Sequence, residues 1–209
     1  MHLFPLLYAI ADAAFLSTTA ELLDFTEELA LGGCTLLQYR NKSGNARVML
    51  MQARALRRLS RAGAPAPHLR VIMNDRADLC LAAEFDGVHI GQEDLSPEAV
   101  REIIGPDRWM GVSTHNPEQL CEADLTSADY LAIGPVFATS SKDRPDPVVG
   151  LEGVRRARAL TRKPLVAIGG ITRANAASVI EAGADSVAVI SDLLREPRKS
   201  AEEFFRVLR

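Results

Sequence analysis

Apolar runs of four to seven residues, rich in Val, Ile and Leu, recur along the chain with helix-patterned stretches between them. Runs that short, without polar alternation, mark strands covered on both faces, as in a parallel sheet built from βα units. Eight are present. They begin near Leu6 (LLYAI), Leu36 (LLQYR), Arg70 (RVIMN), Gly87 (GVHI), Trp109 (WMGVS), Tyr130 (YLAIG), Pro164 (PLVAI) and Ser186 (SVAVI). Helix openings are clearest at Ser96-Pro97-Glu98 and Asn116-Pro117-Glu118. In each, a side chain can cap the first turn, proline suits its missing N–H, and a carboxylate meets the positive dipole end. Gly63, Gly105 and Gly183 mark helix ends.

Eight such units in 209 residues predict an α/β chain forming one (β/α)8 TIM barrel over 1–209, near the lower size limit of about 200 residues. The alternative, an open doubly wound sheet, would want a GxGxxG after the first strand, and none is there. The longest irregular segment, Gly134 to Gly150 (GPVFATSSKDRPDPVVG), is too polar and proline-rich to pack as an element and is expected to act as a lid.

Composition narrows the function classes. With 47% hydrophobic residues the chain can bury a full core, and 24 Lys+Arg against 27 Asp+Glu give a net charge of −3. That balance supplies neither the positive excess of a nucleic-acid binder nor an acidic tail, so small-molecule chemistry is expected. The apolar start MHLFPLLYAIADAAF lacks a basic leader and is broken by Asp12, so it reads as a strand. No apolar run reaches the roughly 18 residues of a membrane span. Cys34, Cys80 and Cys121 lie far apart and are odd in number, which predicts reduced, buried thiols in a cytoplasmic protein.

In a barrel the carboxyl ends of all strands share one mouth, so polar residues there can meet whatever their separation in sequence. Those ends carry Gln38, Arg40 and Lys42, then Asn74 and Asp75, then His89, Gln92 and Asp94, then Ser113 and His115. The long loop adds Thr139, Ser141 and Lys142, and the last two strands end in Gly169-Gly170 and Ile190-Ser191. Asp75 and Asp94 are hard oxygen donors of the kind that hold Mg2+ when phosphate oxygens and water complete its shell. Gly169-Gly170 and Ser191, the latter opening the last helix, suit a phosphate cradle. Arg40, Lys42 and Lys142 could neutralise a second anionic group.

Plainer readings stand beside these. Asp75 and Asp94 could be loop residues or helix caps, and Gly169-Gly170 a tight turn. His89, inside GVHI, suits a hydrogen-bonded barrel-interior residue, and His115 is more open. Arg54, Arg57, Arg58 and Arg61 form a helical stripe expected to be a solvated face.

Seven ordered stretches together resemble the thiamine phosphate synthase (thiamine-phosphate pyrophosphorylase) family over essentially the whole chain. They are QYRNK from Gln38, NDRADL from Asn74, DGVHIGQED from Asp86, GVSTH from Gly111, ADYLAIGPVFATSSK from Ala128, AIGGI from Ala167 and VIS from Val189. The resemblance implies the barrel fold and a transferase coupling an aminopyrimidine diphosphate to a thiazole phosphate with release of diphosphate. It implies that Gln38, Arg40, Lys42, Asn74, Ser113 and Lys142 bind the pyrimidine diphosphate, and that Asp75 and Asp94 hold magnesium. Thr139, Ser141, Gly170, Ile190 and Ser191 would bind the thiazole phosphate, and Arg40, Lys42, Lys142 and Ser113 would act in catalysis. The family's Thr-x-Thr-Lys stands here as Thr139-Ser140-Ser141-Lys142, which keeps the hydroxyl and loses a methyl. A thiazole tautomerase on the same barrel, using a histidine at the position of His115, is the rival enzyme. A phosphate-ligand sensor without activity is the rival from another class.

Overall fold

The computed structural model describes residues 4–62, 69–139 and 146–209. Eight parallel strands close on themselves in chain order, each paired with its sequence neighbours and the last with the first. They are β1 (Leu7–Asp12), β2 (Leu36–Arg40), β3 (Arg70–Asn74), β4 (Gly87–Ile90), β5 (Trp109–Thr114), β6 (Tyr130–Ile133), β7 (Leu165–Ile168) and β8 (Ser186–Val189). Helices α1 (Thr19–Leu31), α2 (Ala46–Arg61), α3 (Ala77–Ala82), α4 (Pro97–Ile104), α5 (Pro117–Asp124), α6 (Gly150–Leu160), α7 (Ala176–Glu181) and α8 (Pro197–Val207) alternate with them. This is the (β/α)8 barrel that the pattern of apolar runs predicts.

The local signals act as chemistry requires. Ser96 accepts the Ala99 N–H at 3.3 Å and Asn116 the Gln119 N–H at 2.8 Å, so both proline-opened helices are side-chain capped. Gly105 caps α4 with a φ of 76°, a left-handed value that suits glycine. Two cores result. The larger fills the space between barrel and helices, and a second inside the barrel groups Phe4, Tyr8, Ile10, Leu36, Ile72, Tyr130, Ala132, Val166 and Ala188. Phe4 stacks on Trp109 with ring centroids 5.2 Å apart within this inner core. Among the described residues no helix is long and apolar enough to cross a membrane.

Four expectations need correction or restriction. The last helix opens at Pro197, and Ser191 instead begins a short 3-10 turn, Ser191–Leu193. The segment from Gly134 is not loose throughout: Val136 and Phe137 donate to Ile168 and Gly169 at 2.9 and 3.0 Å, and Val136 is fully buried. Their apolar side chains outweigh the polar composition that follows. Residues 140–145, the part expected to close as a lid, lie outside the described residues, as does Gly63. Cys34 and Cys80 are buried, whereas Cys121 is exposed because it falls on the outward side of α5.

The arginine stripe on α2 is not uniformly solvated either. Arg57 is half-buried and forks onto Asp86, with contacts of 3.0 and 2.8 Å, while Asp86 also accepts the Val71 N–H at 2.8 Å. A bidentate, partly buried pair joined to a strand end contributes more than an exposed one. We expect Arg57→Ala to lower stability by about 1–2 kcal/mol while Arg54→Ala and Arg58→Ala leave it unchanged, measured as urea unfolding midpoints.

Candidate active site

One cavity opens at the carboxyl ends of the strands, lined by Gln38, Arg40, Asn74, Ser113, Thr139, Gly170, Ile190 and Ser191 among the expected site residues. Residues from β2, β3 and β5, from the loop after β6, and from the ends of β7 and β8 therefore meet as the barrel closes. Ile10, Pro135 and Ile168 supply apolar wall, and His89, His115 and Asp146 also line it. Lys42, Asp75 and Asp94 do not line the cavity. They form a cluster beside it, joined through the chain at Asn74-Asp75. Ser141 and Lys142 lie outside the described residues.

The acidic pair has a definite geometry. Asp75 follows the last residue of β3, donates its N–H to the His89 carbonyl at 2.8 Å, and takes a φ of 61° that L-residues other than Asn and Asp rarely adopt. Its carboxylate contacts the Lys42 ammonium and lies within hydrogen-bond reach of Asp94. It caps no helix, since α3 begins at Ala77 with no side-chain cap. Asp94 accepts the Gly91 N–H at 2.7 Å, so it also shapes its own loop. Burial raises the Asp94 carboxyl above the usual aspartate range. The Gly91 N–H opposes that, and the neighbouring Asp75 reinforces it. Two carboxylates forced together beside a lysine fit a divalent cation, which would supply the charge their proximity lacks. Among the described residues no group of three or more His, Cys, Asp or Glu side chains forms a complete metal cage. Such a cation would draw its remaining ligands from water and an anionic substrate, as magnesium commonly does.

The cationic side is held from below. Arg40, at the end of β2, contacts the carboxylate of Asp12, its register partner at the end of β1. Asp12 is 1% exposed and also accepts the Ala14 N–H at 3.0 Å. Asp12 was readable as a strand-end carboxylate by the rule that found Asp75, yet it stood out only as an interruption of the apolar run. Asn74 is buried, lines the cavity, and its Nδ2 has no hydrogen-bond partner among the described residues. A buried amide donor left unpaired costs stability unless something else accepts from it.

On the opposite wall, Gly169 and Gly170 take φ values of 102° and 64°. A Cβ at Gly170 would come within 2.5 Å of the Ala138 carbonyl, so the tight turn and the close backbone approach are both real. Arg173, absent from the sequence reading, binds Asp192 through its backbone N–H at 2.8 Å and its side chain at 3.0 and 3.1 Å. It thereby ties the loop after β7 to the Ser191 turn. His115 has its Nδ1 2.6 Å from the Gly134 carbonyl and its Nε2 3.4 Å from Asp146. His89 is the buried interior residue expected of it, with ring nitrogens 3.1 Å from the Tyr130 hydroxyl and 2.8 Å from the Ser113 hydroxyl.

Comparison with known proteins gives the family of the chain. Residues 7–193 match the family model described as thiamine monophosphate synthase. The thiamine-phosphate synthase of Koribacter versatilis is 58% identical over 207 residues, covering 98% of this chain and 96% of that protein. That of Chloroflexus aurantiacus is 44% identical over 186 residues, covering 88% and 83% respectively. Among solved structures, the thiamine phosphate pyrophosphorylase of Pyrococcus furiosus superposes with a TM-score of 0.84 at 36% identity, covering 97% of this chain and 95% of that one.

Proposed function

Because the chain belongs to the thiamine monophosphate synthase family and is a transferase like its named relatives, we propose that it couples an aminopyrimidine methyl diphosphate to a thiazole phosphate, releasing diphosphate and forming thiamine phosphate. The C–O bond to the diphosphate breaks with its electron pair leaving on oxygen, and the thiazole nitrogen lone pair forms the new C–N bond. A carboxylated thiazole phosphate would lose carbon dioxide as well, its ring carbon keeping the electron pair of the broken C–C bond and taking a proton from water. The observation that carries this reading is the contact of Asp75, Asp94 and Lys42 immediately beside a cavity bearing Arg40 and the Asn74 Nδ2, which has no partner among the described residues.

Departure of a diphosphate leaves charge on oxygen and a cation on the pyrimidine, so the protein's task is electrostatic rather than acid–base. Asp75 and Asp94 would hold Mg2+, which when bound offsets charge on the leaving group. Arg40 and Lys42 add fixed positive charge on the same side, with Asp12 and Asp75 as their anchors. By the same reading Lys142 adds a third cation, and Thr139, Ser141, Gly170, Ile190 and Ser191 hold the thiazole phosphate. Gln38 and Ser113 orient the pyrimidine so that the thiazole nitrogen meets its methylene carbon. Apolar Ile10, Ile168 and Ile190 keep water from the cation. A proton-moving tautomerase would leave the acidic pair and its lysine without a task.

The test combines purified protein, both substrates and magnesium, and follows thiamine phosphate and diphosphate. Equal amounts of both products are expected, with none in the presence of a magnesium chelator. Absence of coupled product with magnesium rejects the reading.

A further inference from the structure

Beneath the cavity the barrel interior holds a continuous chain of hydrogen-bonding side chains. Gln38 Nε2 donates to the Tyr8 hydroxyl at 3.0 Å, and the Tyr8 and Tyr130 hydroxyls are 2.9 Å apart. The Tyr130 hydroxyl is 3.1 Å from His89 Nδ1, and His89 Nε2 is 2.8 Å from Ser113 Oγ. Both phenol rings are enclosed, Tyr8 at 1% and Tyr130 at 0% exposure. Room for Tyr130 comes from Gly111 on β5, where a Cβ would fall 2.1 Å from the ring. The glycine there serves the tyrosine. Only the two ends of the chain, Gln38 and Ser113, and the His89 ring reach the cavity lining.

A hydroxyl has one proton to give, so a chain of this kind has a direction. With Gln38 donating into it, the Tyr8 proton points to Tyr130 and the Tyr130 proton to His89 Nδ1. A neutral imidazole that accepts on Nδ1 carries its proton on Nε2 and gives it to Ser113 Oγ. Burial raises both phenols well above the ordinary tyrosine range, which keeps them protonated donors. Among the described residues two groups remain uncommitted at the ends: the carbonyl oxygen of Gln38, an acceptor, and the hydroxyl hydrogen of Ser113, a donor.

We propose that Tyr8 and Tyr130 are positioning residues that set the hydrogen-bond polarity of the cavity, an acceptor at Gln38 and a donor at Ser113, and so select a ring carrying an amino group beside an unprotonated nitrogen. An oxo analogue in its lactam form presents the reverse pattern. It would set carbonyl against carbonyl and N–H against O–H, leaving buried polar groups unpaired. The inference rests on the coupling reading for its substrate, but the polarity itself is a property of the free protein.

Two measurements test it. In ligand-free protein labelled with 15N-histidine, His89, identified by the signal missing from His89→Gln, is expected as the tautomer protonated on Nε2. A ring protonated on Nδ1 overturns the proposal. In the coupling assay, the ratio of kcat/KM for the 4-amino substrate over its 4-oxo analogue is expected to fall about tenfold or more in Tyr130→Phe, whatever happens to kcat. An unchanged ratio overturns it, since a merely structural role would slow both substrates alike. Tyr8→Phe gives the same test at the other tyrosine should the first variant not fold. Wild-type protein that forms no coupled product counts against the coupling reading, and the tautomer still decides the direction of the chain.

Discussion

Asp75→Asn lowers kcat for coupling by roughly 100-fold, about 3 kcal/mol, at saturating magnesium and with both KM values little changed. The substitution keeps the shape of the side chain, and asparagine accepts the left-handed backbone that this position takes at φ 61°. Folding is thereby spared and only the charge is removed. That charge lies against Lys42 and Asp94, next to where diphosphate would leave, so its loss is felt as negative charge develops in the transition state. Steady-state rates against each substrate check this. A rise in KM at constant kcat would instead give Asp75 a ground-state binding role.

Arg40→Ala has the second large effect, and it acts on stability as well as rate. Asp12 is 1% exposed and Arg40 is its cationic partner, so truncation leaves a buried carboxylate uncompensated. Removing one member of a buried pair costs about 3 kcal/mol at the lower end of the usual range, appropriate here because Arg40 itself reaches solvent. For a domain of this size that corresponds to a fall in Tm of roughly 6–12 °C. Adding Asp12→Asn to Arg40→Ala removes the stranded charge and is expected to recover most of the Tm while coupling stays low. Scanning calorimetry together with the coupling assay separates the two contributions. If the double variant is no more stable than Arg40→Ala, Asp12 is not the group being stranded.

The strand-end rule worked where a residue's chemistry matched its position. Gln38, Arg40, Asn74, Ser113, Thr139, Gly170, Ile190 and Ser191 line one cavity because each lies in the carboxyl-end half of a strand or in the segment after it, and the apolar runs announce those strands. It failed where the functional group sat inside a run. Tyr8 and Tyr130 read as ordinary apolar strand residues, and only their hydroxyls meeting across the barrel, 122 residues apart, makes them a pair. Asp12 was hidden for a related reason: a single carboxylate ending an apolar run shows nothing of the arginine that it will face. Arg57 misled in the opposite sense, since helical spacing places it on a stripe with Arg54 and Arg58 but does not reveal Asp86 below it.

Taken alone, the sequence determined the eight strands, the capped starts of α4 and α5, the order of the loops and the family, because periodicity, capping and motif order are local properties of the chain. The tertiary structure alone decided that Asp12 sits level with Arg40 and that Asp75 meets both Lys42 and Asp94. It alone joined three interior side chains, Tyr8, Tyr130 and His89, into a chain of four hydrogen bonds between Gln38 and Ser113. Those contacts depend on the register between neighbouring strands and on closure of the barrel. Both arise from packing the whole chain at once, and no window of residues carries that information.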